Sequence, residues 1–338
     1  MPRAPRPLPA ALPPGPFTVE QARAVGVDAA RLRRADLERV RPGVHRRRPD
    51  EPAEAPARPP APSPGPGMHP LDRLAAEEAL RLAALALRFE DATASGLTAA
   101  RAAGLWLPAR LREDRRLQLT RPPGASVLAE DGVVTRRAHL APADVVRCPS
   151  GPPRTSPART WRDLAGTLTR DELVVLGDWL VRSSGPGRTR GLCAVEELRA
   201  RAAERGGRHA VVAREAAVLV RDGAHSPPET ELRLALLAAG LPEPELQIEE
   251  RDPSFSPWHP VTADLGWRRW RVVLQYEGAG HDDPAQVRRD TQRDAVFLRR
   301  DVLTIRASAS DRWQGFAGTV ELARHALLRA GWRPDGGG

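Results

Sequence analysis

Five polar residues near the C-terminal end of the chain have types and spacing that can do chemistry: Glu229, Asp264, Gln275, Glu277 and His281. Gln275, Tyr276 and Glu277 close an apolar run in RVVLQYEGAGHDD (271–283), and Gly278 breaks it just before His281 and two aspartates. Strand side chains alternate with a period of two, so Gln275 and Glu277 leave on one face. A short hairpin through 266–270 sets Asp264 beside that pair, while Glu229 stands in the first turn of a helix opened by SPPETE. Two or three carboxylates meeting at strand ends can hold Mg2+ or Mn2+, which prefer hard oxygen ligands. Such an ion activates water and neutralises charge developing on a phosphoryl oxygen. The same residues have plainer readings, with Glu229 a first-turn acid favoured by the helix dipole and Asp264 a turn former.

The elements that must position them follow from periodicity. From residue 215 a helix enters through two prolines, carries Leu232, Leu236 and Leu237 on one face and stops at Gly240. Two strands, VTADLGW (261–267) and RWRVVLQYEG (269–278), precede a polar helix (283–301), a strand VLTIRAS (302–308) and a last helix (316–331). Helix, strand, strand, helix, strand, helix describes an α/β sandwich about a mixed sheet. On the polar helix, Arg288, Arg289 and Arg293 either grip a nucleic-acid backbone in a salt-dependent way or form a solvated face paired with Asp290 and Asp294.

Upstream, the chain divides by composition. Residues 1–16 read as a disordered tail, 17–48 as a small helical unit and 49–70 as a proline-dense linker. Residues 71–214 read as an α+β middle region, 215–332 as the domain just described and 333–338 as a tail. In the small unit, Thr18 and Gln21 form a capping box. Gly26 supplies a turn, and Asp28 is the N-cap of a second helix. This is a helix-turn-helix layout, with VRPGVHRRR as the strand of a wing. A second helix in a major groove would bring Arg31, Arg33 and Arg34 to phosphates or bases; on a plain helical hairpin they solvate the outer face. In the middle region, LQLTRPPG and VVTRRAHL read as strands, and 156–184 as two helices broken near Gly166, with Thr169 and Glu172 as a second capping box.

The bulk numbers constrain partners less than they first suggest. The 338 residues carry a net charge of +9 and a pI near 11.0, which points to an anionic partner. All 52 basic residues are arginine, however, with no lysine, and Ala, Pro and Gly are abundant. That pattern reads as a coding bias that inflates arginine without a ligand demanding it. Cys148 and Cys193 form no Cys-x-x-Cys pair and fit a reducing compartment. The N-terminal stretch lacks the apolar core of a signal peptide, and no apolar run is long enough to span a membrane. The expectation is a cytoplasmic protein without a membrane partner.

Residues 225–306 resemble a domain of unknown function related to the very-short-patch-repair (Vsr) endonucleases, within the PD-(D/E)XK nuclease fold. The resemblance rests on SPPET, ADLGW, QYEGAGH, QVRRDTQRD and VLTIRAS, in that family's order and at similar spacings. The upstream segment resembles the AbiEi-type antitoxin and transcriptional-regulator arrangement, through FTVEQARAVGVDAARLRRADL, PGVHRRRP, LQLTRPPG and TSPARTWRDLA. Together they cover most of the chain outside the tails and linker.

The Vsr-like resemblance implies a restriction-endonuclease-like α/β fold. Glu229 matches the helix glutamate, Asp264 the aspartate of the PD motif and Glu277 the second acid of an EYDG-like turn. His281 matches a polar residue beyond that turn, and Gln275 stands where an acid is usual. It implies a Mg2+ or Mn2+ site on Asp264, Glu277 and Gln275 and a metal-dependent DNA endonuclease or nickase. The departure at Gln275 keeps open a second function, a non-catalytic DNA-binding regulator or antitoxin-like protein with a degenerate nuclease domain. DNA is the expected partner in both, and a toxin–antitoxin or defence-system partner fits the second.

Overall fold

The computed structural model describes residues 7–13, 15–48, 70–128, 130–148, 151–184, 190–204, 209–252, 260–278 and 284–334; of 70–76, 148, 151 and 284–290 it describes the backbone alone. The linker at 49–69, His281 and the last four residues lie outside them, and so do the side chains of Arg288 and Arg289. The protein is a mixed α/β chain with three sheets among the described residues. It divides into two compact units, 1–163 and 164–338.

In the first unit, β1 (Phe17–Thr18) leads into α1 (Val19–Ala24). Gln21 N–H donates to Thr18 Oγ1 at 3.0 Å and Thr18 N–H to Gln21 Oε1 at 2.8 Å, closing the capping box. The second helix expected after Asp28 is a single 3-10 turn, Arg31–Arg33, so the helix-turn-helix does not form. Asp28 does cap that turn, its Oδ1 accepting from Arg31 N–H at 2.7 Å. Asp36 then clamps the Arg31 guanidinium through two bonds of 2.8 and 2.6 Å. Leu32 and Leu37 both enter a core with Phe17, Ala22 and Val27, which pulls the chain into a strand instead of a longer helix. Leu12, read as part of a disordered tail, is buried in that same core. The strands β2 (Leu37–Arg41) and β3 (Val44–Arg47) form a hairpin with β1 on its far side, in the order β1-β3-β2. Gly43 turns it, at φ +79°.

Next come α2 (Pro70–Ala86), β4 (Thr93–Ala94), α3 (Gly96–Ala102), β5 (Leu117–Arg121), β6 (Val133–Arg137), β7 (Val145–Cys148), β8 (Gly151–Thr155) and α4 (Pro157–Leu164). They build a mixed sheet in the order β6-β5-β4-β8-β7. Leu82 and Leu85 of α2 pack on Leu117 and Leu119 of β5.

The second unit opens with α5 (Arg170–Val181), α6 (Val195–Ala203) and α7 (Ala210–Leu219), followed by α8 (Pro227–Ala238). The sequence reading placed 164–214 with the middle region; in the structure these residues belong with the C-terminal elements. A buried polar knot ties α5 to α8. Asp178 Oδ2 accepts from Thr230 Oγ1 at 2.9 Å and Arg233 Nη2 at 2.8 Å, and Oδ1 accepts from Arg221 N–H at 2.8 Å.

Then follow β9 (Glu245–Glu250), β10 (Val261–Trp267), β11 (Val272–Glu277), α9 (Pro284–Arg299), β12 (Leu303–Ser308), α10 (Ala309–Trp313) and α11 (Ala317–Arg329). Strand order is β12-β11-β10-β9, with β11 and β12 parallel and the other pairs antiparallel. Leu232 and Leu236 of α8 and Val320, Ala323 and Leu327 of α11 pack with Leu265, Val272, Leu274 and Ile305. Val296 and Phe297 of α9 pack with Ile248, Val261, Ala263 and Val273. The sheet is therefore covered on both faces, a three-layer α/β/α arrangement. The sequence reading did not contain β9, α10, α6 or α7. Strand β9, ELQIEE, is mostly polar because it is the sheet's edge.

Candidate active site at a break in the C-terminal sheet

The site begins where the regular ladder stops. The β10–β11 hairpin is registered from Trp267–Val272 to Leu265–Leu274, and Asp264 and Gln275 lie one step beyond. On the other side, the β9–β10 register skips Asp264, between Ala263–Ile248 and Leu265–Leu246. Gln247 stands there in the left-handed region at φ +50°. A regular strand would put Ala263 and Leu265 on one face. Here Ala263 packs in the α9 layer and Leu265 in the α8/α11 layer, so β10 changes face at Asp264. Gly266 next to it is required by close approach: a Cβ there would stand 2.7 Å from Val273 Cα and closer still to the Val272 carbonyl oxygen.

Side chains bridge the gap this leaves. Asp264 Oδ2 accepts from Tyr276 N–H at 2.7 Å. Gln275 is 3 % exposed, and its Nε2 donates to the Thr262 carbonyl at 2.9 Å. Only the amide nitrogen can donate to a carbonyl, so this bond fixes which way the amide faces.

Glu229 arrives from α8. It is 6 % exposed. Its Oε2 accepts from His225 N–H at 2.8 Å and Gln247 Nε2 at 3.3 Å, and its Oε1 from Ser226 Oγ at 2.8 Å. Burial above all, and then the charge of Asp264, push the Glu229 carboxyl up to about 7, against the pull of these donors and of Arg182. Two carboxyl groups 35 positions apart in sequence are thus placed close enough for the charge of Asp264 to oppose ionisation of Glu229.

The other sequence candidates are placed elsewhere. Glu277 leaves β11 to pair with Arg306 of β12, whose second terminal nitrogen holds Asp294 of α9. Arg293 sits on α9, partly buried. Among the described residues no group of three or more His, Cys, Asp or Glu side chains that could hold a metal ion is seen. Arg31 is held by Asp36, while Arg33 and Arg34 are exposed. Sequence reasoning missed His225, Ser226, Gln247 and Arg306. The Ser226–Glu229 spacing was a usable signal, since a serine three residues before a glutamate at a helix start brings the two side chains together. Nothing local marked Gln247 or Arg306, which enter through strand pairing.

No family model and no solved structure matches the chain. Two curated proteins of Mycobacterium tuberculosis are similar to it: "Uncharacterized protein MT2308" of strain CDC 1551 / Oshkosh and "Uncharacterized protein Rv2248" of strain ATCC 25618 / H37Rv. Each is 33% identical over 146 residues, 43% of this chain and 50% of the relative. The chain spans half the length of these relatives. Among the described residues no helix is long and apolar enough to cross a membrane.

Proposed function

We propose that the chain is a DNA-binding protein whose C-terminal unit carries a PD-(D/E)XK-type, Vsr-like nuclease site reduced to two carboxylates. The observation that carries this reading is the Glu229–Asp264 pair, a buried carboxyl facing a half-buried one where the sheet breaks. A buried carboxyl raised by a second carboxyl beside it is the arrangement expected of a functional site. A divalent cation would relieve it, and the donor set fits: Mg2+ typically uses one or two protein carboxylates and completes its shell with water and phosphate oxygens. Glu229 and Asp264 would hold the ion, with Gln275 a neutral neighbour. When bound it would supply charge neutralisation at a phosphoryl oxygen.

The chain's own groups do the rest. Tyr276 N–H fixes Asp264, and His225 N–H with Ser226 O–H fix Glu229. A carboxyl near 7 is placed to take or give a proton at its Oε atoms at neutral pH. The non-catalytic alternative is favoured by the pairing of Glu277 with Arg306, which claims one of the expected ligands, and by the neutral Gln275 held to the Thr262 carbonyl.

Nicking of supercoiled plasmid with Mg2+ and with Mn2+ tests the proposal. Cutting by wild type that disappears in Glu229→Gln and Asp264→Ala is the expected result. DNA binding without cutting in either metal would favour the regulator and overturn the enzyme. Gln275→Glu separates the two readings further, because it trades the donor to Thr262 for a third charge.

A further inference from the structure

The small unit at 17–48 gathers positive charge that the ion pairs seen among the described residues do not neutralise. Residues 17–48 hold nine arginines against four acids, more than half of the chain's net +9 in 32 positions. Three of the nine are consumed by ion pairs: Arg31 with Asp36, Arg46 with Glu38 and Arg41 with Glu130. Two of the unit's four acids are thereby used. Four others, Arg33, Arg34, Arg47 and Arg48, are exposed, and no ion pair is seen for them among the described residues.

The backbone brings these four together. Leu37 N–H donates to the Arg34 carbonyl at 3.0 Å, Arg48 N–H donates to the Asp36 carbonyl at 2.8 Å, and Leu37 is registered opposite Arg47. The 3-10 turn therefore delivers Arg33 and Arg34 to the open end of the β2–β3 hairpin, where Arg47 and Arg48 leave it. The closed end is occupied otherwise: Gly43 O accepts from Val19 N–H at 3.0 Å and Pro42 O from Arg88 Nη1 at 3.3 Å.

We infer that Arg33, Arg34, Arg47 and Arg48, at the open end of the β2–β3 hairpin, form a contact surface for the phosphate backbone of duplex nucleic acid. Guanidinium forks match phosphate oxygens in paired hydrogen bonds. No large apolar side chain is exposed among residues 17–48, so this stretch lacks the anchor a membrane surface takes up. The contact would position a duplex without reading its sequence. It shares with the proposed function only the choice of nucleic acid and needs no cleavage.

The test is fluorescence anisotropy of a labelled 30-base-pair duplex titrated with the full chain across a salt series. Arg33→Gln with Arg34→Gln, and separately Arg47→Gln with Arg48→Gln, are each expected to weaken binding roughly tenfold and to flatten the log–log salt slope by about 2. Arg199→Gln with Arg214→Gln removes the same charge from exposed sites on α6 and α7 and is expected to change neither. Circular dichroism and thermal melting establish that each variant keeps its fold. Equal losses in the α6/α7 variant, or undiminished binding by both hairpin variants, would overturn the inference. So would sedimentation of wild type with phosphatidylserine vesicles in the absence of duplex binding. A failure to nick plasmid leaves this result intact and bears on the proposed function alone.

Discussion

Two carboxyl groups, Asp178 of α5 and Glu229 of α8, are buried along α8, and the protein treats them in opposite ways. Asp178, 1 % exposed, meets Arg233, Thr230 and the Arg221 N–H. Glu229, 6 % exposed one residue before Thr230, meets neutral donors and another acid. Burial pushes both carboxyls up. At Asp178 the Arg233 charge pulls back, whereas at Glu229 the next influence, Asp264, pushes the same way. Compensated burial is architecture, since it holds α5 against α8. A buried carboxyl raised by a neighbouring acid holds no two helices together in this way, and that is what singles out Glu229 and Asp264 as a site.

The largest effect should come from unbalancing the architectural pair. Asp178→Ala leaves a guanidinium that is 0 % exposed in its side chain with only the longer 3.5 Å contact to Glu243 for charge, and should cost about 3–5 kcal/mol of stability in urea unfolding. Asp178→Leu combined with Arg233→Met should recover much of that loss. A double variant as unstable as the single would show that the pair is not the unit that matters.

Glu229 should respond to pH in the reverse sense of a paired acid. Its folded carboxyl keeps its proton to about 7 while the unfolded one releases it near 4.5. Stability from this group is therefore full below 4.5 and is lost as pH rises through 7, by about 3 kcal/mol. Glu229→Gln should abolish that part of the fall and leave the variant more stable than wild type at pH 8. Superimposable pH–stability curves for the two proteins would remove the case for opposed charges.

Added Mn2+ should sharpen the contrast by compensating the site. Saturation at one hundred times the dissociation constant would raise stability by about 2.7 kcal/mol, read as a rise in Tm. Asp264→Asn should lose the shift, and Asp178→Asn should retain it despite a lower starting Tm. At the small end, replacing Arg47 and Arg48 by Gln should move stability by no more than about 0.5 kcal/mol, as for other exposed side chains.

Legibility in the sequence followed the range of the interactions. Both capping boxes, at Thr18–Gln21 and Thr169–Glu172, were readable because the partners are three residues apart and close in any helix start. The apolar run that opens β11 announced itself, since a central strand covered on both faces needs apolar side chains on both. The 3-10 turn at Arg31–Arg33 was not legible, because Asp28 caps it as it would a full helix. What ends it, the Asp36 clamp and the descent of Leu37 into the core, is tertiary.

The sequence by itself determined which residues are chemically able, and near which helix and strands they lie: Glu229 in a first turn, Asp264 and Gln275 across a hairpin, arginines massed between 31 and 48. Tertiary structure decided which of them meet. A strand that changes face at Asp264 turns that carboxylate toward Glu229, while the neighbouring β12 supplies the Arg306 that claims Glu277. Spacing along a chain fixes the face on which a side chain leaves. Charge pairing and burial depend on which strand or helix lies opposite, and that is settled only when distant segments pack.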